Sequence, residues 1–180
     1  MQARFDVFCS YAHADAEAVA RLVGALERRG LAVYLDRAEI LDFEGITASI
    51  ERGLARSKAL LAYYSAGYPT RRPCQWELTA AFLAAQRQGD PRRRVLVVNP
   101  EEGAGHIHPV ELRDARFRAS PACGDERALA ALAESVAARV AGLEGLLGEV
   151  QPLVPPAWHP EQRAGSRRFV GRLAEMWELH

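Results

Sequence analysis

The residue with the most chemical capacity in this chain is Glu77, which stands beside Trp76 in the stretch Pro73, Cys74, Gln75, Trp76, Glu77, Leu78. A lone carboxylate beside a large aromatic suits electrostatic stabilisation of positive charge; acid-assisted cleavage of an ordinary glycoside usually takes a second carboxyl group. Upstream lies the apolar run Ala59 to Tyr64 and then Ser, Gly, Pro and Thr, while Leu78, Ala81, Phe82 and Ala85 recur downstream at helical spacing. The order is strand, loop, helix, with Glu77 opening the helix. In an open parallel sheet, ligands bind outside the carboxyl ends of the strands, where such helices begin. Taken alone, an acid in a first helical turn has a commoner role, complementing the helix macrodipole.

Other groups with chemical potential carry less. Asp6 interrupts the first apolar run, and a carboxylate there reads as a satisfied structural group ahead of a catalytic one. His106 and His108 stand two apart in a loop without a supporting carboxylate or thiol set, so no metal site is expected. Cys9, Cys74 and Cys123 are scattered and form no CxxC, which argues against a disulfide framework. No GxGxxG follows the first strand, which disfavours dinucleotide binding for hydride transfer, and no cofactor is expected.

The elements that must position Glu77 can be read along the chain. Its 180 residues leave room for one ordinary domain and a short appendage. With 23 acidic and 23 basic residues there is no global field to favour nucleic acid, and Pro91 to Arg94 reads as a solvated strand entry rather than a phosphate patch. The composition is not that of a membrane protein. The start runs straight into Phe5 to Phe8 without a basic leader or apolar signal core, so a cytoplasmic protein is expected.

Phe5 to Tyr11 is apolar enough on both faces for a buried parallel strand, ending in Ser10 and Tyr11. Asp15 to Arg29 places Val19, Leu22, Val23 and Leu26 on one helical face and stops at Gly30; Ala32 to Leu35 is a second strand. The segment Asp36 to Gly45 mixes charges with Ile40, Leu41 and Phe43, so it either binds something or folds its apolar groups back onto the core. A helix over Ile46, Ile50 and Leu54 follows, ending near Ser57. After the third strand, Ala59 to Tyr64, the helix of Glu77 runs to about Gln88. Val95 to Val98 is a fourth strand, Pro109 to Phe117 an irregular connection to an edge strand near Ala115 to Arg118, and Asp125 to Leu147 a long amphipathic helix closing the sheet's other face. One α/β domain, residues 1–147, is then complete. Residues 148–165 hold Pro152, Pro155, Pro156 and Pro160 and read as a linker, and 166–180 turn amphipathic again, like the start of a further module.

The strand FDVFCSY, the loop DRAEILDFEG, the strand ALLAYYS and the segment CQWEL together resemble the TIR domain, the Toll/interleukin-1 receptor homology family, over about residues 5 to 147. The resemblance implies a flavodoxin-like three-layer α/β fold whose five-stranded parallel sheet has the order 2-1-3-4-5. It implies that Ser10 and Tyr11 form the box ending the first strand and that Asp36 to Gly45 is a self-association and gating loop. Enzymatic members cleave NAD+, and Glu77, three after Cys74, matches their catalytic glutamate. Two positions depart from the usual pattern: Pro73 stands before the cysteine and Ile46 and Thr47 follow the loop glycine, where many members carry tryptophan. The tail FVGRLAEMWELH looks like the start of a STAND-like nucleotide-binding module.

One carboxylate suffices for that chemistry. Nicotinamide leaves a cationic N-glycosidic bond as a neutral base, so no general acid is needed and the remaining task is to stabilise an oxocarbenium-like ribose. A helix N-terminus would help keep Glu77 ionised. The reading is therefore a NAD+ glycohydrolase of bacterial immune or defence signalling, activated by self-assembly. It cleaves NAD+ to nicotinamide and ADP-ribose or a cyclic isomer, with NAD+ as substrate and other TIR domains as partners. Glu77 is the catalytic candidate, and Ser10, Tyr11, Asp36, Phe43, Gly45 and Trp76 line the cleft or its gate. The alternative is a non-catalytic scaffold that recruits other TIR domains through the same loop. A receiver-like domain would share the architecture but requires an acidic cluster at the end of the first strand, where Ser10 and Tyr11 stand.

Overall fold

The computed structural model describes residues 4–35, 50–108, 110–114 and 117–148. Five strands, β1 (Phe5–Tyr11), β2 (Val33–Leu35), β3 (Ser57–Tyr63), β4 (Val95–Asn99) and β5 (Arg118–Ala119), form one parallel sheet in the order β2-β1-β3-β4-β5. The register sets Val7 against Val33, Ser10 against Ala62, Tyr63 against Val98, and Val98 against Arg118. This is the fold and strand order implied by the resemblance.

Alternation along β1 explains the three layers. Val7 and Cys9 point to one side of the sheet and Phe8 and Ser10 to the other, because successive strand residues face opposite ways. On the first side α1 (Ala16–Arg28) and α5 (Glu126–Ala141) bury Val19, Leu22, Leu26, Leu132, Val136 and Val140 against Val7, Cys9, Leu61 and Val98. On the second side lie the helical residues 50–55 (α2), α3 (Arg72–Gln86) and the short α4 (Val110–Asp114), which pack Leu54, Leu78, Phe82 and Leu112 against Phe8, Leu60 and Val97. Among the described residues no helix is long and apolar enough to cross a membrane.

Several boundaries differ from the sequence reading, among them β3, which runs from Ser57 to Tyr63 rather than from Ala59 to Tyr64. The helix carrying Glu77 begins at Arg72, because Pro73 fits a first helical turn, where its missing N–H costs nothing. The connection before β5 holds the helical turn α4, and β5 itself is Arg118–Ala119; Ala115 lies outside the described residues. The last helix starts at Glu126, with Asp125 accepting a bond from the Ala128 N–H at 2.9 Å, and ends at Ala141 rather than Leu147.

Beyond α5 the chain crosses the amino-terminal edge of the sheet. Leu143 is buried in the α1/α5 layer and Leu147 in the opposite one. Between them Gly145 takes a left-handed backbone, φ +68°, that side chains disfavour. The Leu147 N–H donates to the Ser57 carbonyl at 2.7 Å, and Gln88 Nε2 donates to the Leu147 carbonyl at 2.7 Å. Arg94 completes the strap: its guanidinium donates to the carbonyls of Lys58, Glu144 and Gly145. The basic cluster at 92–94 is thus built into a strand entry, with Arg92 held by Asp90. Asp6 has the structural part expected of it, bonded to Lys58 Nζ at 2.8 Å and to the Ala32 N–H at 3.0 Å. The 149–165 stretch of the expected linker and the amphipathic tail lie outside the described residues.

Candidate functional site

Strand order 2-1-3-4-5 reverses direction between β1 and β3, and such a switch point leaves a crevice at the carboxyl ends of the two strands. The loops around that end are cross-tied. Ser65, just after β3, donates to Asp15, just after β1, at 2.6 Å, and the Ala66 N–H donates to Glu101, after β4, at 2.9 Å. Asn99 in turn holds the turn containing Glu101 and Gly103 through its side-chain amide, whose Nδ2 donates to the Gly103 carbonyl and whose Oδ1 accepts from the Glu101 N–H.

The 3-10 turn Tyr68–Thr70 leads into α3 and swings Tyr68 beneath the end of β1, where the side chain is wholly buried. Its ring packs against Tyr64 with the centroids 4.4 Å apart and the planes tilted by 35°. Its hydroxyl lies 2.7 Å from Ser10 Oγ and donates to the Cys74 carbonyl at 3.2 Å. A carbonyl only accepts, so the phenol proton goes to Cys74 and Ser10 donates to the phenol. The Cys74 thiol reaches the Tyr11 carbonyl at 3.3 Å. These bonds fasten the first turn of α3 to the last two residues of β1.

Glu77 is 7% exposed, a buried carboxylate on α3. It follows Cys74 by three residues, so both side chains share the helix face directed at the end of β1. The electrostatics agree with that placement. Burial pushes the Cys74 and Cys9 thiols up to about 12, with the Glu77 charge adding to both. Burial likewise raises the Tyr68 phenol well above its ordinary range, with Cys74 and Glu77 contributing. As the sixth residue of α3, Glu77 lies beyond the first turn, where macrodipole effects fade. The helix N-terminus therefore does little to keep it ionised, contrary to expectation, and Glu77 does not complement the dipole.

Of the expected cleft residues, Ser10 joins Glu77 on the α3 side of the sheet. Tyr11, the next residue along the strand, turns its side chain to the α1/α5 layer and meets the site through its carbonyl. Trp76 is half-buried against the α2/α3 layer, and neighbouring helical positions diverge by about 100°. It therefore does not share the Glu77 face. Asp36, Phe43 and Gly45, expected at the gate, lie outside the described residues. Tyr68, Asp15 and Ser65 were not singled out by sequence. Tyr68 offered a faint signal, an aromatic inside a Gly- and Pro-containing loop, where apolar groups seldom stand without a packing reason. The His106 ring has a structural contact, its Nε2 lying 3.0 Å from the Tyr64 carbonyl, and the His108 backbone exchanges two bonds with the Tyr64 hydroxyl.

The family profile of the TIR domain matches residues 7–133, which takes in β2 to β5, all but the first two residues of β1, and Glu77. The chain belongs to the TIR domain family. A comparison with curated proteins finds no match. Among solved structures, this TIR domain is similar to a metazoan TIR-STING receptor from C. gigas, at 15% identity and a TM-score of 0.57 over 78% of this chain and 41% of that one. It thus spans less than half of that receptor's length. It is also similar to the TIR domain of the Toll-related receptor TRR-2 from Hydra magnipapillata, at 16% identity and a TM-score of 0.54 over 76% of this chain and 98% of that one. At these identities the likeness is one of fold.

Proposed function

We propose that this TIR domain cleaves the nicotinamide–ribose bond of NAD+, releasing nicotinamide and ADP-ribose or a cyclic isomer, and that it does so when assembled with other TIR domains in bacterial immune or defence signalling. The observation that carries the reading is the Glu77 carboxylate, buried on the α3 face directed at the β1/β3 switch point. Coulombic stabilisation grows as water is excluded, so a carboxylate in that setting can hold an oxocarbenium-like ribose far better than a surface one. The leaving nicotinamide is neutral and takes no proton; the ribose cation is captured by water, which gives up a proton to solvent, or in the cyclic isomer by an adenine nitrogen of the same molecule. Ser10 is proposed to line the cleft, Trp76, on the neighbouring face of α3, to stand with Asp36, Phe43 and Gly45 at its gate, and Tyr11 to shape the β1 end. Domain limits at 1–147, a proline-rich linker to residue 165 and a following STAND-like module belong to the same proposal. So do a cytoplasmic location and the lack of any nucleic-acid or membrane partner.

The test is nicotinamide release from NAD+ at high protein concentration, read by mass spectrometry, for the wild type and Glu77→Gln. Loss of at least about 100-fold in the variant supports the proposal. Equal release by both removes Glu77 from the chemistry, and assembly without NAD+ loss makes the domain an interaction scaffold.

A further inference from the structure

We infer that Tyr68 is a positioning residue for the site, its hydroxyl bridging β1 to α3 so that the Glu77 carboxylate is held against the strand end. The inference rests on the proposed NAD+ cleavage and adds a residue to that site. The bridge has three members. Ser10 Oγ donates to Tyr68 Oη over 2.7 Å, and Tyr68 Oη donates to the Cys74 carbonyl over 3.2 Å. Ser10 and Tyr68 are 1% and 0% exposed, so water cannot substitute for either partner at low cost. The Cys74 carbonyl also belongs to the helical ladder, where it accepts from the N–H four residues on. Fixing it fixes the turn from 74 to 78, and Glu77 is carried on that turn.

Tyr64 supplies an internal comparison. Its ring packs on Tyr68 at 4.4 Å, and it too is buried, but its hydroxyl bonds to the His108 backbone, in the connection after β4. Two tyrosines in ring contact thus differ in which element their hydroxyls hold. A purely structural role predicts similar consequences from removing either hydroxyl; a positioning role singles out Tyr68.

The experiment compares Tyr68→Phe and Tyr64→Phe, each of which keeps the ring and removes one oxygen. For Tyr68→Phe, kcat for nicotinamide release falls by roughly 10–100-fold while KM for NAD+ stays within about twofold, as expected when a reacting group is misplaced by a fraction of an ångström. Tyr64→Phe keeps kcat within about twofold. Independently of turnover, hydrogen exchange of the Gln75 to Leu78 amides quickens and the Glu77 side-chain carboxyl 13C resonance moves in Tyr68→Phe but not in Tyr64→Phe. Wild-type kcat in Tyr68→Phe, or exchange and resonance alike in the two variants, overturns the inference. If the wild type consumes no NAD+, the proposed function fails, while the exchange and resonance measurements still decide whether Tyr68 holds Glu77.

Discussion

A Cβ atom at Gly53 would stand 2.6 Å from Cε1 of the Tyr34 ring, well inside contact distance. The ring is not at liberty to retreat, since it stacks on Phe8 at 5.2 Å and meets Phe5 edge-on at 5.1 Å. Gly53→Ala in a helix would ordinarily gain close to 1 kcal/mol. Here overpacking reverses the sign, and a loss of about 1–3 kcal/mol is expected. Urea denaturation checks it: the midpoint falls with the slope unchanged. A stabilised variant would show that the Phe5, Phe8 and Tyr34 cluster yields.

Asp6 gives the fold an acid-sensitive joint. Burial alone would raise its carboxyl, but the Lys58 hydrogen bond, the Ala32 N–H and the Lys58 charge outweigh that and leave it below the ordinary carboxylate range. The folded state therefore binds fewer protons than the unfolded chain between the two pKa values, and stability rises with pH there. The contribution is complete above the unfolded value, near 4, and disappears as pH falls through the lower folded one. Asp6→Asn should cost about 1 kcal/mol at pH 7 and flatten the acid limb of the unfolding free energy between pH 2 and 5. Parallel limbs in the two proteins would rule the joint out.

Strands and faces were legible because burial leaves a plain mark: β1 ends where its apolar run ends, and Val19, Leu22 and Leu26 of α1 are all buried as their spacing required. Termini were less so. Pro73 signals the start of α3, but the apolar periodicity is clear only beyond Glu77. Leu143 and Leu147 continue the period of α5, so sequence assigns them to the helix. In the fold they are buried by a strap held through backbone bonds to Ser57 and Ala55, which no periodicity records. Glu77 was legible as a type of residue in a place. The Ser10, Tyr68 and Cys74 chain was not, because its members lie up to 64 positions apart and meet only once the sheet is ordered.

The three cysteines should separate sharply by reactivity. Cys9 and Cys74 are buried thiols pushed up to about 12 by desolvation, with the Glu77 charge second, whereas Cys123 is exposed. Only a thiolate alkylates at a useful rate. Brief iodoacetamide treatment of the native protein at pH 8 should give one adduct, at Cys123, and three after denaturation. Native labelling of Cys74 at a rate comparable to that of Cys123 would mean that the start of α3 opens from β1 readily, which would also count against a fixed Glu77.

Leu147 tests whether the strap is part of the folded unit. It lies six residues past the end of α5, yet it is 2% exposed among Leu54, Leu60 and the other side chains of the α2/α3 layer. Its backbone closes against Ser57 at the entrance to β3, and Gln88 caps its carbonyl from the end of α3. Deleting a buried leucine side chain in such surroundings costs about 2–5 kcal/mol, partly through the cavity left behind. Leu147→Ala should therefore lower thermal stability well beyond the effect of an exposed position such as Leu83→Ala, which sits 40% exposed on α3. Calorimetry of the two variants decides the matter: equal melting temperatures would show the strap to be dispensable and would place the limit of the folded unit before it.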